Sequence, residues 1–142
     1  MLNMNRATLV GHAGRDPEMR DLKNGGRAAT FTLATTEKWT DGEGRPGEAT
    51  EWHRIVVYGP TVETVGKMLR KGDRVMVEGR IATRSFTDRE GNDRVVTEIV
   101  VSRRQGMVNI LSERRAAKEK PDPGDPGSGS GAGGGGEPEV PA

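Results

Sequence analysis

The sequence predicts an all-β domain with one helix. Five strands close into a Greek-key barrel, the helix lies between the third and fourth of them, and a C-terminal tail without a fold of its own follows. Three observations predict this. Apolar residues alternate with period two in five separate stretches, the period changes to 3.6 only once, and beyond Leu111 the chain becomes poor in apolar residues and rich in Gly, Pro and charge.

Asn5 to Gly11 reads as the first strand, which Gly14-Arg15-Asp16-Pro17 breaks with turn chemistry before a short irregular passage and the turn Asn24-Gly25-Gly26. Ala28 to Lys38 is the second strand. Phe31, Leu33 and Thr35 lie on one face, with Phe31 in the core. Trp39 stands at its end, before a Gly- and Asp-rich segment, Thr40 to Gly47, that reads as a flexible loop. Glu51 to Gly59 is the third strand, rich in β-branched and aromatic residues and stopped by Gly59-Pro60. Alternation puts Trp52, Arg54, Val56 and Tyr58 on one face. His53, Ile55 and Val57 occupy the other, which has the composition of a face turned into a core.

Val62, Val65 and Leu69 then form a helical stripe, so Thr61 to Lys71 is expected to be a helix that stops at Gly72. Arg74 to Thr87 follows as a long strand. Val75, Val77, Gly79 and Ile81 share one face, and Met76, Glu78, Arg80, Ala82, Arg84 and Phe86 share the other. Asp88 to Asn92 closes a hairpin, Arg94 to Val101 returns, and Gly106 to Leu111 adds a last short strand. Three strands, a helix and two strands is the element order of an OB-fold. An open α+β sheet satisfies the same order.

The chain divides into a domain, residues 1–111, and a Gly/Pro-rich tail, residues 112–142, expected to be disordered. The first part carries 18 Lys and Arg against 15 Asp and Glu, a net +3, and the second 4 against 6, a net −2. A domain so nearly neutral cannot hold a polyanion by bulk charge, so an anionic ligand needs a local patch. No apolar run of membrane-spanning length and no signal-peptide h-region occur, so the protein is expected to be soluble and cytoplasmic. Zero cysteines exclude disulfides, thiolate metal sites and a cysteine nucleophile.

The chain has five aromatics, and four of them (Trp39, Trp52, Tyr58 and Phe86) stand away from core positions and beside cations. Arg54 shares the face of Trp52 and Tyr58, Arg80 and Arg84 share that of Phe86, and Lys38 adjoins Trp39. Flat rings on which bases stack, together with cations that follow phosphates, are what a single strand of nucleic acid requires. The competing reading puts Trp52 and Tyr58 in a core or subunit interface, with the arginines as a solvated face. His53 reads as a hydrogen-bonded core or interface residue, since His12 is too distant in sequence to make a ligand pair. No metal site and no cofactor are expected. Phosphate-binding glycine loops, a nucleophile elbow and paired carboxylates are absent, so the protein is not expected to be an enzyme.

Gly11 to Arg20, Phe31 to Trp39, Glu51 to Gly59, Leu69-Arg70-Lys71-Gly72 and Val77-Glu78-Gly79-Arg80 resemble, in order and spacing, the bacterial single-stranded DNA-binding protein family. The resemblance implies an OB-fold assembled as a homotetramer. It implies binding to single-stranded DNA without sequence preference during replication, recombination and repair, in association with the nucleoid. By position, Trp39, Trp52, Tyr58 and Phe86 match the family's stacking aromatics. Arg54, Lys71 and Arg84 match its basic positions near the DNA, and His53 matches a histidine at the subunit contact. Pro60, Ala82 and Ser85 stand where relatives often carry a cation, which shifts weight to Arg80 and Arg89, and Phe86 replaces a frequent Trp. Relatives usually end in an acidic tip closing on Pro-Phe that recruits replication and repair proteins. This chain ends Glu137-Pro138-Glu139-Val140-Pro141-Ala142, so the resemblance does not carry recruitment through that tip. Two rivals remain at this point: an OB-fold adaptor whose same face binds protein, and a nucleic-acid enzyme.

Overall fold

Alternation governs the packing directly: Phe31 and Leu33 are fully buried, while Thr30 and Thr32, which alternate with them, point to a half-exposed outer face. A computed structural model describes residues 2–112 of the 142, in the order β1 (Ala7–Ala13), β2 (Glu18–Asp21), β3 (Arg27–Thr40), β4 (Pro46–Tyr58), α1 (Thr61–Met68), β5 (Arg74–Thr87), β6 (Asp93–Val101) and β7 (Met107–Ile110). The sheet runs β1-β3-β4-β6-β5, and β5 pairs back onto β1 to close a five-strand barrel. Within this ring β4–β6 is the parallel pair. Closure leaves few free edges, as an OB-fold should.

The core fills the barrel with Phe31, Leu33, Ile55, Val57, Val75, Val77, Ile99 and Val101. Helix α1 covers one end because Val62 and Val65 form its buried stripe, continued by the fully buried Leu69. Each such side chain contributes about 1.5–3 kcal/mol by leaving water. Among the described residues no helix is long and apolar enough to cross a membrane.

Several sequence expectations need correction. Residues 18–21 form strand β2 on the edge of β3, and β7 pairs with β5, so the described chain has seven strands rather than five or six. The first strand runs to Ala13, two residues past its expected end, because His12 and Ala13 pair with Ala34 and Leu33. The helix stops at Met68: Leu69 is already extended, and the Asp73 carboxylate, buried rather than at the surface, accepts the Arg70 N–H at 2.9 Å. Ile81 stands on the expected core face of β5 but is 47% exposed. The alternation is right there, but the strand has already left the barrel.

Residues 41–45 form a tight turn rather than a flexible loop, since β3 runs to Thr40 and β4 begins at Pro46. The Asp41 carboxylate accepts the N–H groups of Glu43 and Arg45 and the Arg45 Nε–H, all at 2.8–2.9 Å. Asp88 repeats the device in the β5–β6 turn with the N–H groups of Glu90 and Asn92 and with Arg94 Nε–H. The hydrogen bond from the Arg45 backbone is the largest influence holding Asp41 below the usual carboxylate range, and that from the Arg94 side chain does the same for Asp88. Both hairpins therefore extend past the barrel as ordered arms. Thr36–Thr50 and Thr83–Thr97 hydroxyl pairs, each at 3.0 Å, bridge them part-way along. The C-terminal tail lies outside the described residues except for Ser112, whose Oγ accepts the Arg74 N–H at 2.6 Å.

Candidate nucleic-acid interface

Register fixes which side chains share the outer face. Thr32 of β3, Arg54 of β4, Glu98 of β6 and Ala82 of β5 lie in one cross-strand row, and Thr30, Val56, Val100 and Arg80 lie in the next. On β4, Trp52 stands one row beyond Arg54 and Tyr58 one row beyond Val56, on the same side, and Arg84 and Phe86 continue that side along β5. The sequence-predicted residues Trp52, Arg54, Tyr58, Arg80, Arg84 and Phe86 are thus brought onto one face.

Trp52 is 55% exposed and rests on backbone rather than in a pocket. A Cβ on Gly14 would come within 2.5 Å of its Cζ3, so the residue without a side chain is what lets the ring lie over the start of the β1–β2 loop. The same loop carries Asp16, whose Oδ1 accepts the Lys71 N–H at 2.8 Å. Lys71, with its side chain exposed, therefore stands on the turn tied to the loop under Trp52.

At the centre of the face is a residue that sequence reading passed over. Glu98 is 5% exposed, and its carboxylate accepts Arg54 Nε–H at 2.7 Å and Arg84 Nε–H at 2.9 Å, with a longer contact from a terminal Arg84 nitrogen at 3.4 Å. Burial pushes the Glu98 carboxyl up, but hydrogen bonds and charges from Arg84 and Arg54 outweigh it, and the group sits below the usual glutamate range. Arg84 is raised in turn, by the Glu98 hydrogen bond against a smaller opposing effect of burial. Its guanidinium stacks 5.4 Å from the centre of the Phe86 ring. One carboxylate therefore fixes two cations and, through one of them, an aromatic ring. The signal was present in Val96-Thr97-Glu98-Ile99-Val100, where an acid alternates with valines and so needs a cationic partner across the strand.

Trp39 does not join this face. The β3–β4 register is unbroken from Ala28↔Tyr58 to Thr40↔Pro46, so Trp39 shares the parity of Phe31 and Leu33, opposite to that of Trp52. It lies at the arm's tip, 49% exposed, with its ring over Gly47, where a Cβ would meet it at 2.4 Å. His53 is likewise on the side away from Trp52. Its Nε2 lies 2.8 Å from Thr35 Oγ1, a pairing that fits a hydrogen-bonded residue rather than a metal ligand. Among the described residues no group of His, Asp and Glu is arranged to hold a metal ion.

The model of the single-strand binding protein family matches residues 4–107. The chain belongs to the single-strand binding protein family. A solved structure described as a Plasmodium falciparum SSB complex with ssDNA is 37% identical to this family member, covering 79% of this chain and 98% of that one, with a TM-score of 0.72. Proteins of the single-strand binding family bind DNA and are not enzymes, so the exposed rings and arginines belong to a binding protein and no catalytic centre is to be sought among them.

Proposed function

We propose that this chain binds single-stranded DNA without sequence preference by stacking bases on exposed rings and holding phosphates with nearby cations. The observation that carries the proposal is the single face on which Trp52, Arg54, Glu98, Arg84 and Phe86 meet. Trp52, Tyr58 and Phe86 are the stacking residues of this face, and Trp39 offers a further platform on the far side of its arm. Arg54, Lys71, Arg80 and Arg84 take the phosphates. Each base stacked on an aromatic side chain contributes about 1–3 kcal/mol.

Residues 1–111 serve as the DNA-binding domain and residues 112–142 as an appended tail. The protein acts as a homotetramer with His53 at a subunit contact, coating single strands during replication, recombination and repair in association with nucleoid DNA. Family membership and the meeting of His53 and Thr35 on the side of the β3–β4 arm away from Trp52 support this reading.

Titration of tryptophan fluorescence with oligo-dT tests the proposal. Quenching is expected at low salt, weakening as salt rises because phosphate contacts release counterions. Absence of quenching at low salt refutes it. Trp52→Ala is expected to weaken binding by about 1–3 kcal/mol per protomer with the fold retained. A variant that unfolds would instead place Trp52 among the structural residues.

A further inference from the structure

Strand β4 ends on Tyr58, and just beyond that end stands a pair of arginines in the turn between β6 and β7. β4 and β6 run parallel with Val57 opposite Val101, so the two strands leave the sheet side by side, one through Tyr58 and Gly59 and the other through Ser102 and Arg103. Gly59 and Arg103 meet there. A Cβ on Gly59 would stand 3.5 Å from the Arg103 backbone nitrogen and 3.6 Å from its Cβ. Arg103 and Arg104 are exposed, and among the described residues no acidic group pairs with either. Glu78, whose backbone carbonyl lies against Gly106 at the end of the same turn, is paired with Arg6 at 3.5 Å.

The turn is held by its backbone. The Ser102 N–H donates to the Gln105 carbonyl at 2.9 Å and the Gln105 N–H to the Ser102 carbonyl at 3.2 Å, so Arg103 and Arg104 are the two central residues of a closed loop. Gly106, with φ 117°, then turns the chain into β7. Gln105 Nε2 donates to the Asn5 carbonyl at 2.7 Å, and the Asn5 side chain bonds both backbone groups of Ile81 at 2.8 and 2.9 Å. The arginine side chains take no part in these bonds. Two cations therefore stand on a fixed turn with their guanidinium groups uncommitted among the described residues, and a pre-ordered mount of this kind reduces the freedom lost when a ligand is bound.

One row back along β4, the exposed Arg80 shares the row of Val56 and Val100. The half-buried Tyr58 thus stands between a cation before it and two cations beyond it. We propose that the β6–β7 turn is a further phosphate-binding site, in which Arg103 and Arg104 take the sugar-phosphate backbone of a single strand that has passed Trp52 and Tyr58. The inference rests on the reading of the Trp52 face as a single-strand interface and extends its path. The strand follows β4 for about 20 Å from Trp52 to Tyr58 and runs on over Gly59 to the turn. Gly59 suits that crossing because it puts no side chain between the ring and Arg103. Each guanidinium can grip a phosphate through two parallel N–H groups, so two adjacent arginines suit consecutive phosphates.

The test compares the full chain with Arg103→Gln/Arg104→Gln, with the charge-keeping Arg103→Lys/Arg104→Lys, and with a charge-matched control, Lys67→Gln/Lys118→Gln, from helix α1 and the tail. Affinity for a long oligo-dT is measured by tryptophan quenching over a range of NaCl, and the native mass of each free protein is measured in the same buffers. Each single-strand phosphate contact contributes about 0.7 to the slope of log K against log salt, so losing two should flatten it by about 1.4 for each protomer engaged. For one protomer, the wild-type affinity should then fall on the order of sevenfold further than that of the glutamine variant between about 50 and 200 mM salt. The lysine variant and the control should keep the wild-type slope. If the wild type binds and the glutamine variant keeps its slope and affinity, the turn is not on the path and the stacking face stands alone. A lysine variant that flattens as far as the glutamine one overturns the inference in favour of a disturbed turn, and a control that flattens equally overturns it in favour of bulk charge. A glutamine variant with altered native mass overturns it in favour of a subunit contact. A wild type that does not quench overturns the face and the turn together.

Discussion

Replacing Glu98 by Gln tests how the charged centre of the face is held. The side chain keeps its shape, but an amide offers one acceptor oxygen and turns an N–H₂ toward the second arginine. Three N–H···O contacts between 2.7 and 3.4 Å converge on the native carboxylate, which is itself buried. Hydrogen bonds to a charged group contribute about 1.5–3 kcal/mol each when shielded. The two arginine side chains, however, are 38% and 48% exposed, so water screens them, and exposed pairs fall to about 0.2–1 kcal/mol. A value between these, near 1 kcal/mol for each arginine, gives a loss of about 2 kcal/mol at neutral pH, or on the order of 10 °C in Tm for a domain of this size. The assay is urea unfolding of both proteins from pH 7 to pH 3. Glu98 has its folded pKa depressed, so its contribution is complete above the unfolded value of about 4.3 and is lost as pH falls through the lower, folded value. The stability gap between wild type and E98Q should therefore be full at pH 7 and close toward pH 3. Asp41 and Asp88, also depressed, are present in both proteins and cancel. Equal stability at pH 7, or a gap that persists unchanged at pH 3, would refute the account.

Gly14→Ala puts a methyl group within 2.5 Å of the Trp52 ring and 2.6 Å of Thr32 Oγ1, so the ring must move. Affinity for oligo-dT should drop by part of the roughly 1–3 kcal/mol that Trp52 supplies, with circular dichroism unchanged, and wild-type affinity would mean that the ring's seat is irrelevant to binding. Asp41→Ala and Asp88→Ala remove the clasps of the two arms. Amide exchange should quicken at residues 38–48 and 84–94, respectively, and stay slow in the barrel. Exchange that quickens in the barrel as well would show that the turns support the core.

Where side-chain period met barrel geometry, the sequence was easy to read. Phe31, Ile55 and Val57 are core because alternation leaves them no other place, and the run Val62, Val65, Leu69 marks the helix. The same rule misleads at Ile81, since parity says which face a residue is on but not whether the barrel still stands behind that face. The turn Asp41 to Arg45 looked flexible because it is rich in Gly and Asp, yet Asp-Gly-Glu-Gly-Arg and Asp-Arg-Glu-Gly-Asn are one motif used twice, with the Asp accepting the N–H groups two and four residues on. In the candidate site, Trp52, Arg54, Arg84 and Phe86 were legible as exposed rings beside cations. Their organisation was not. Glu98 pairs with Arg54 across a parallel contact that no local pattern announces.

The parallel contact between β4 and β6 also bears on how quickly the molecule can come into being. Arg54 and Glu98 are 44 positions apart, and the Asn5 side chain that bonds both backbone groups of Ile81 reaches across 76. Such contacts repay the entropy of closing a long loop only after it has closed, which places folding in the range of about milliseconds to seconds rather than microseconds. The two long hairpins can pair early from local sequence. Glu98 cannot meet Arg54 until the ring is shut, so a newly made chain carries an uncompensated arginine and an unpaired strand flank through the slowest stage of its folding.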